Sequence, residues 1–182
     1  DSMVDFAKYA FNKSHAAAYA VVSYQTAWLK YYYPVEYMAA LMTSVIDNPG
    51  KVAEYIYSCR QMGIKILPPD INHGYSSFSV DNGSIRYGLA AIKSIGRPVI
   101  KEIVAERKAN GEFKNLKDFI ERMSGKDINK RTIENFIKSG AFDELGGTRK
   151  QFMVIYVQIL DQVNREKKNS MTGQMSLFDI VG

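Results

Sequence analysis

The run Leu89-Ala90-Ala91-Ile92-Lys93-Ser94-Ile95-Gly96-Arg97-Pro98-Val99-Ile100 sets a short apolar helix, a bend holding glycine, and a second helix opened by proline side by side. That order is the helix-hairpin-helix pattern. Its chemistry is specific: the glycine lets main-chain amides approach an anionic oxygen, the second helix offers its positive N-terminal end, and Lys93 and Arg97 add cations. Such a site holds a phosphate backbone and reads no bases, so its affinity falls steeply with salt and scarcely responds to nucleotide sequence. Lys93, Ser94, Ile95, Gly96 and Arg97 are the candidate contacts. An ordinary pair of antiparallel helices with glycine at a helix C-cap would carry the same local pattern.

A looser second copy runs from Ile133 to Ile137 through Lys138-Ser139-Gly140-Ala141 to a helix from Thr148, flanked by Lys130, Arg131, Lys138, Arg149 and Lys150. It lacks the Ile-Gly bend and has Phe142-Asp143-Glu144-Leu145-Gly146 inserted, so packing against the first copy competes with direct contact to DNA. Phe11-Asn12-Lys13-Ser14-His15 joins two cation-capable side chains to a helix start, which suits anionic oxygens, although a histidine there also serves as a plain cap or surface residue. Tyr31, Tyr32, Tyr33 and Tyr37 have rings able to stack bases, but the recurrence of Tyr9, Trp28 and Tyr32 at helix-packing spacings assigns this set to the core and its rim. Asp70 and His73 have no further ligand cluster to make a metal site. No paired strand carboxylates, Walker-type loop or Ser/His/Asp set can be assembled. Near the C-terminal end, Gln174-Met175-Ser176-Leu177-Phe178 has the layout of a short linear motif: Gln174 fixes register while Leu177 and Phe178 fill a pocket. An amphipathic stub folded back on the domain would have the same composition.

Mostly helical elements must position these groups. Ser14 is placed to cap a helix through Ala16, Ala20, Ala27 and Leu29 to Tyr32; Pro34 to Ile46 and the stripe Val52, Tyr55, Ile56 and Cys59 follow, and the three helices are expected to share a core. Ile64 to Ile71 is stopped by Pro68 and Pro69 and reads as an extended connector. Phe78-Ser79-Val80 and Ile85-Arg86-Tyr87 alternate around Asp81-Asn82-Gly83, which predicts a β-hairpin and the only β-structure. Helices are then expected over Leu89 to Lys93, Pro98 to Ala109, Leu116 to Met123, Lys130 to Lys138 and Thr148 to Asn164, with a polar tail from Asn169 that composition leaves flexible. The fold class is therefore mainly α, with one short hairpin.

With 182 residues and 46% apolar composition the chain can bury a core. No apolar run approaches the roughly 20 residues of a membrane span. One cysteine, Cys59, excludes an internal disulfide framework, and no secretory leader is visible, so a reducing cytoplasm is expected. Residues 1–88 hold 7 basic and 7 acidic side chains, whereas residues 89–168 hold 17 basic against 11 acidic. The excess positive charge thus coincides with the helix-hairpin-helix region, where a polyanion would be attracted if the cations share a face.

The residues also add up to a resemblance. Phe11-Asn12-Lys13-Ser14-His15-Ala16-Ala17-Ala18-Tyr19, Ser23-Tyr24-Gln25-Thr26, and Tyr33-Pro34-Val35-Glu36-Tyr37-Met38-Ala39-Ala40 resemble the fingers of the bacterial replicative DNA polymerase III alpha-subunit family, the C-family polymerases. So do Ile66-Leu67-Pro68-Pro69-Asp70-Ile71-Asn72, Tyr87-Gly88-Leu89-Ala90-Ala91-Ile92-Lys93 and Ile137-Lys138-Ser139-Gly140-Ala141-Phe142-Asp143, in the family's order. The resemblance implies a segment running from the fingers (1–75) through a β-hairpin and tandem helix-hairpin-helix module (76–164) to a flexible tail with a sliding-clamp-binding motif (165–182). It implies that His15, with Lys13 and Tyr19 nearby, approaches the triphosphate of the incoming nucleotide. It implies that Lys93, Ser94, Ile95, Gly96, Arg97, Lys130, Arg131 and Lys138 face double-stranded primer-template DNA. It further implies that Gln174, Ser176, Leu177 and Phe178 bind the sliding clamp, with Met175 where leucine is common. The family's catalytic aspartates and their Mg2+ belong to a palm domain upstream, so no catalytic residue, metal or cofactor is expected in this segment. The expected partners are then DNA, the clamp, the incoming dNTP in the full polymerase and other replisome subunits, with no membrane. A stand-alone DNA-binding accessory protein, or a protein-interaction module whose hairpins only pack, would share parts of this pattern.

Overall fold

Asparagine and proline set most helix starts. The computed structural model describes the backbone of residues 13–179 and the side chains of residues 13–169. Helix α1 spans Lys13–Tyr32 and α2 Pro34–Ser44, separated at Tyr33, with Pro34 opening α2. Asn48 caps α3 (Pro49–Gln61), Asn115 caps α5 (Leu116–Met123) and Asn129 caps α6 (Lys130–Ser139), each side chain accepting the backbone amide three residues on. Between α3 and α5 lie β1 (Ile66–Leu67), β2 (Ser79–Asp81), β3 (Ser84–Arg86), a 3-10 turn at Leu89–Ala91 and α4 (Arg97–Asn110). The last helix, α7 (Arg149–Asp179), opens on a capping box: the Thr148 amide donates to Gln151 Oε1 at 2.9 Å and the Gln151 amide donates back to Thr148 Oγ1 at 3.2 Å. The segment assigned from sequence to a tail begins inside this helix, whose backbone continues to Asp179.

The β-hairpin forms as its turn residues require. Asn82 and Gly83 both have positive φ, 48° and 75°, the pairing that matches the twist of two antiparallel strands. It is not the whole of the β-structure, because β1 pairs in parallel with β3 and makes a three-stranded sheet of order β1-β3-β2. The connector ahead of Pro68 is extended, and its Leu67 carbonyl accepts the Tyr87 amide at 3.0 Å.

Two apolar cores result. The first joins Met38, Ala39 and Met42 of α2 to Val52 and Cys59 of α3 and to Ile64, Phe78 and Ile85. Burial pushes the pKa of the Cys59 thiol up. The expectation that three helices share this core is overturned for α1, which buries none of its residues. Its alanine-rich and aromatic faces are both open: Tyr24 is 71% and Tyr31 79% exposed, and Tyr32, Tyr33 and Trp28 are exposed as well. Only Tyr37 of the tyrosine set, on α2, packs against the core. The helical spacing of these residues is real, but no element within the described residues covers α1. Tyr9 lies outside them.

The second core is built on α4 to α7 and is rich in phenylalanine. Phe113, Phe119, Phe136, Phe142 and Phe152 follow one another at centroid separations of 4.9 to 6.5 Å, mostly edge to face. Such pairs add about 0.5–1.5 kcal/mol each beyond the area they bury. Leu89, Ile92, Ile95, Val99, Ile100 and Ile103 pack into the same cluster, so the hairpin run is rooted in it. The cores interleave along the chain, because Ile71 joins the second while Phe78 and Ile85 join the first.

The link between α4 and α5 is closed by a charged network. Glu106, 12% exposed, accepts from Lys126 Nζ at 2.6 Å, Asn110 Nδ2 at 2.7 Å and Arg122 Nε at 3.2 Å. Arg122 also donates to the carbonyls of Gly111 and Glu112 and lies 4.3 Å from the centre of the Phe113 ring. The Lys126 hydrogen bond above all, then that of Asn110, holds the Glu106 carboxyl down at about 2 from an ordinary 4.5. Because the folded-state pKa is depressed, the stabilisation is complete above pH 4.5 and disappears as pH falls towards 2. Urea unfolding of wild type and Glu106→Gln should therefore differ most at neutral pH and converge by pH 2 to 3. A difference between the two proteins that stays constant over that range would contradict the assignment.

Candidate nucleic-acid interface

A close backbone crossing places the first hairpin. Gly88 is buried, and a Cβ on it would come within 2.9 Å of the main chain of Ser76 to Phe78. That approach lets the Leu89 and Ala90 amides donate to the carbonyls of Tyr75 and Ser76 at 2.8 and 3.1 Å. The segment expected to be a helix from Leu89 to Lys93 is shorter: the 3-10 turn ends at Ala91, and Ile92 is already extended. Apolar side chains then sink on one side while the bend stays on the other. Ile92, Ile95, Val99 and Ile100 are buried, whereas Lys93, Ser94, Gly96, Arg97 and Pro98 are exposed.

The left-handed residue of the bend is Ser94, at φ 63°, and not the glycine. Gly96 has φ −75° and ψ 142°, an extended geometry open to any residue, and a Cβ on it would meet only Pro98 Cδ at 3.6 Å. What Gly96 does is occupy the N-cap of α4 without a side chain. From sequence the glycine is expected to let main-chain amides approach an anionic oxygen; in the structure it leaves the N-cap without a side chain. Among the described residues, none accepts a hydrogen bond from the amides of Gly96, Arg97 or Val99. These donors lie at the positive end of a 14-residue helix. Ile95 takes no such part, since its side chain is buried and its amide donates to the Ile92 carbonyl at 3.3 Å.

Cations gather around those amides. Arg97 pairs with Asp47 at 3.1 Å, but with side chains 63% and 83% exposed this pair contributes little and leaves Arg97 available to an anion. Arg131 of α6 donates to Ser94 Oγ at 3.1 Å, and Asn135 Nδ2 donates to the Lys93 carbonyl at 3.0 Å. The structure thus brings Lys93, Ser94, Gly96, Arg97 and Arg131 together. Lys130 faces Asp161 at 3.3 Å and Lys138 is hydrogen-bonded to Glu134 along the same helix.

The second copy is built for packing. Gly140 takes the left-handed C-cap position of α6 with φ 86°, and its amide is bonded to Ile137 and Phe136 carbonyls. Arg149 is held by both oxygens of Asp143, whose hydrogen bonds raise its pKa. Asn135 escaped sequence reasoning altogether. Its signal was weak: a polar residue one turn after Arg131 on a helix whose other face, Ile133, Phe136 and Ile137, is buried.

The remaining candidates lie elsewhere. Lys13, His15 and Tyr19 stand on exposed turns of α1, with the His15 and Tyr19 rings 4.3 Å apart. Gln174, Ser176, Leu177 and Phe178 lie beyond the described side chains. Asp70 and His73 border a cleft of about 580 Å³ with Asn72, Arg86, Glu112 and Lys114. There the buried Asp70 carboxylate caps the turn, accepting from the Asn72 and His73 amides at 2.6 and 3.0 Å. Among the described residues no group of three or more His, Cys, Asp or Glu is placed to hold a metal ion, and no helix is long and apolar enough to cross a membrane.

Comparison with known proteins agrees with this geometry. A family described as "Helix-hairpin-helix motif" matches residues 63–152. The chain is 46% identical over 182 residues to the DNA polymerase III subunit alpha of Escherichia coli K12, covering 100% of the chain and 16% of that protein. The Vibrio cholerae subunit is 45% identical over the same length and share. That of Mycobacterium tuberculosis is 43% identical over 178 residues, covering 98% of the chain and 15% of that protein. The chain thus spans about a sixth of the length of these relatives, and with this identity from end to end it belongs to the family of DNA polymerase III alpha subunits, of which it corresponds to one segment.

Proposed function

We propose that this chain is the part of a replicative DNA-directed DNA polymerase, a nucleotidyltransferase, that holds the primer-template duplex by its sugar-phosphate backbone. The observation that carries the reading is the set of unbonded amides at Gly96, Arg97 and Val99, ringed by Lys93, Arg97 and Arg131. A phosphate oxygen seated there accepts from the amides while the guanidinium groups neutralise its neighbours. No base edge is read, which suits an enzyme that must move along any sequence. Of the second copy, Arg131 serves this site, and Lys130 and Lys138 flank it. Nucleotidyl transfer and the Mg2+ that supports it are assigned to a palm domain elsewhere in the polymerase; this segment supplies grip.

Titration of duplex DNA with the chain tests the reading. Affinity should fall steeply with salt, and Lys93→Glu should weaken binding of all sequences alike while lowering the slope of log K against log salt by about one. Salt-independent binding would instead favour a protein-interaction module.

The same reading gives α1 a role at the incoming nucleotide. Lys13 and His15 are exposed cations or potential cations at its first turn, and Tyr19 supports the His15 ring. In the full polymerase, His15→Ala should raise the KM for dNTP roughly tenfold, the loss of one hydrogen bond to a charged group. An unchanged KM would contradict the contact.

The Gln174, Ser176, Leu177 and Phe178 motif tethers the polymerase to its sliding clamp, with Leu177 and Phe178 as the buried anchors. Replacing both by alanine should weaken clamp binding more than roughly tenfold without changing DNA affinity. Equal clamp affinity of the two proteins would dispose of the assignment.

A further inference from the structure

The bend that presents the α4 amides is held in a conformation that residues with a Cβ rarely adopt. Ser94, at φ 63°, is exposed, and the side chains flanking it that sink into the core are Ile92 and Ile95. The Lys93 carbonyl is left without a helical donor, because the 3-10 turn has ended at Ala91. Its hydrogen bond comes from another element: Asn135 Nδ2, at 3.0 Å. One turn earlier on the same face of α6, Arg131 bonds Ser94 Oγ at 3.1 Å. One turn later, Ser139 lines a groove with Tyr87, Ile92 and Lys93. The opposite face of α6 is fixed in the second core by Ile133, Phe136 and Ile137, each fully buried, so the donors are carried on a rigid support.

We propose that Asn135 is a positioning residue for DNA binding: by bonding the Lys93 carbonyl it keeps Ser94 left-handed and so holds the amides of Gly96, Arg97 and Val99 on one side of the bend, ready for a phosphate. The inference rests on the reading of this hairpin as a backbone grip. It assigns the second helix-hairpin-helix copy a function distinct from a second DNA contact, namely to brace the first. Without the donor, serine leaves the left-handed region and the amides splay before DNA arrives, so each binding event must first re-form the bend. The number of phosphates neutralised in the complex is unchanged.

The test compares wild type, Asn135→Ala and Asn135→Ala with Ser94→Gly in the full chain, by duplex titration at several salt concentrations and by amide hydrogen exchange. Asn135→Ala should weaken binding about five- to tenfold, the scale of one hydrogen bond. The salt slope should stay the same, and exchange at the Ile95 amide should quicken while the amides of the Phe119 and Phe136 turns stay protected. Adding Ser94→Gly should recover part of the affinity, because glycine enters the left-handed region without a Cβ. Unchanged affinity and exchange in Asn135→Ala, or a changed salt slope, would overturn the brace. If wild type does not bind duplex at all, the grip reading falls, and exchange at Ile95 still decides whether Asn135 holds the bend.

Discussion

A helix that begins on a residue without a side chain leaves its first amides for something outside the protein to satisfy. In α4 that residue is Gly96, and the constraint shapes everything around it. The amides must stay open to water and ligand, yet the bend carrying them cannot drift. Burial of Ile92, Ile95, Val99 and Ile100 pins the bend from beneath, Gly88 brings it against the main chain of Ser76 to Phe78, and α6 holds it from the side. The apolar residues are sunk and the donors exposed within one short run, which is how a rigid scaffold carries a functional loop.

The phenylalanine cluster supplies the rigidity. Because α6 sits in the same core as α4, a hydrogen bond between Asn135 and the Lys93 carbonyl joins two elements whose separation is already fixed. The charged network of Glu106, Arg122 and Lys126 closes the α4 to α5 link on this body. Arg122 and Lys126 are thereby committed to the fold together with Glu106 and Asp118, so the basic surplus counted along residues 89–168 is carried by other side chains. α1 stands in contrast: no residue of it is buried, and its Tyr24 and Tyr31 rings are open.

Much of this was legible in the residues. Asn82-Gly83 announced the hairpin because both residues accept the positive φ values of a tight turn, and Pro34 and Pro98 marked helix starts because proline is tolerated there. Within the hairpin run, Lys93, Ser94, Gly96 and Arg97 are exposed as contacts must be, whereas Ile95, grouped with them from sequence, is buried. Other features depend on contacts distant in sequence, which no local pattern encodes. The pairing of Ile66 and Leu67 with β3 makes a strand of residues that read as a connector. Helical spacing of aromatic residues tells that a face exists, not that a partner covers it, so Trp28 and Tyr32 were placed in a core they do not enter. The left-handed bend residue is Ser94, two positions ahead of the glycine that drew attention, and the Asn135 bond to the Lys93 carbonyl beside it spans 42 positions, so it is visible only in three dimensions.

The central claim is that the amides opening α4 receive a phosphate, and the most direct measurement is residue-resolved 1H-15N shift perturbation on adding a short duplex of arbitrary sequence at low salt. The largest downfield shifts are expected at Gly96, Arg97 and Val99, reversed by raising salt and the same for a second, unrelated duplex. Shifts confined to α1 or to the Asp70 cleft, with those three amides unmoved, would contradict it.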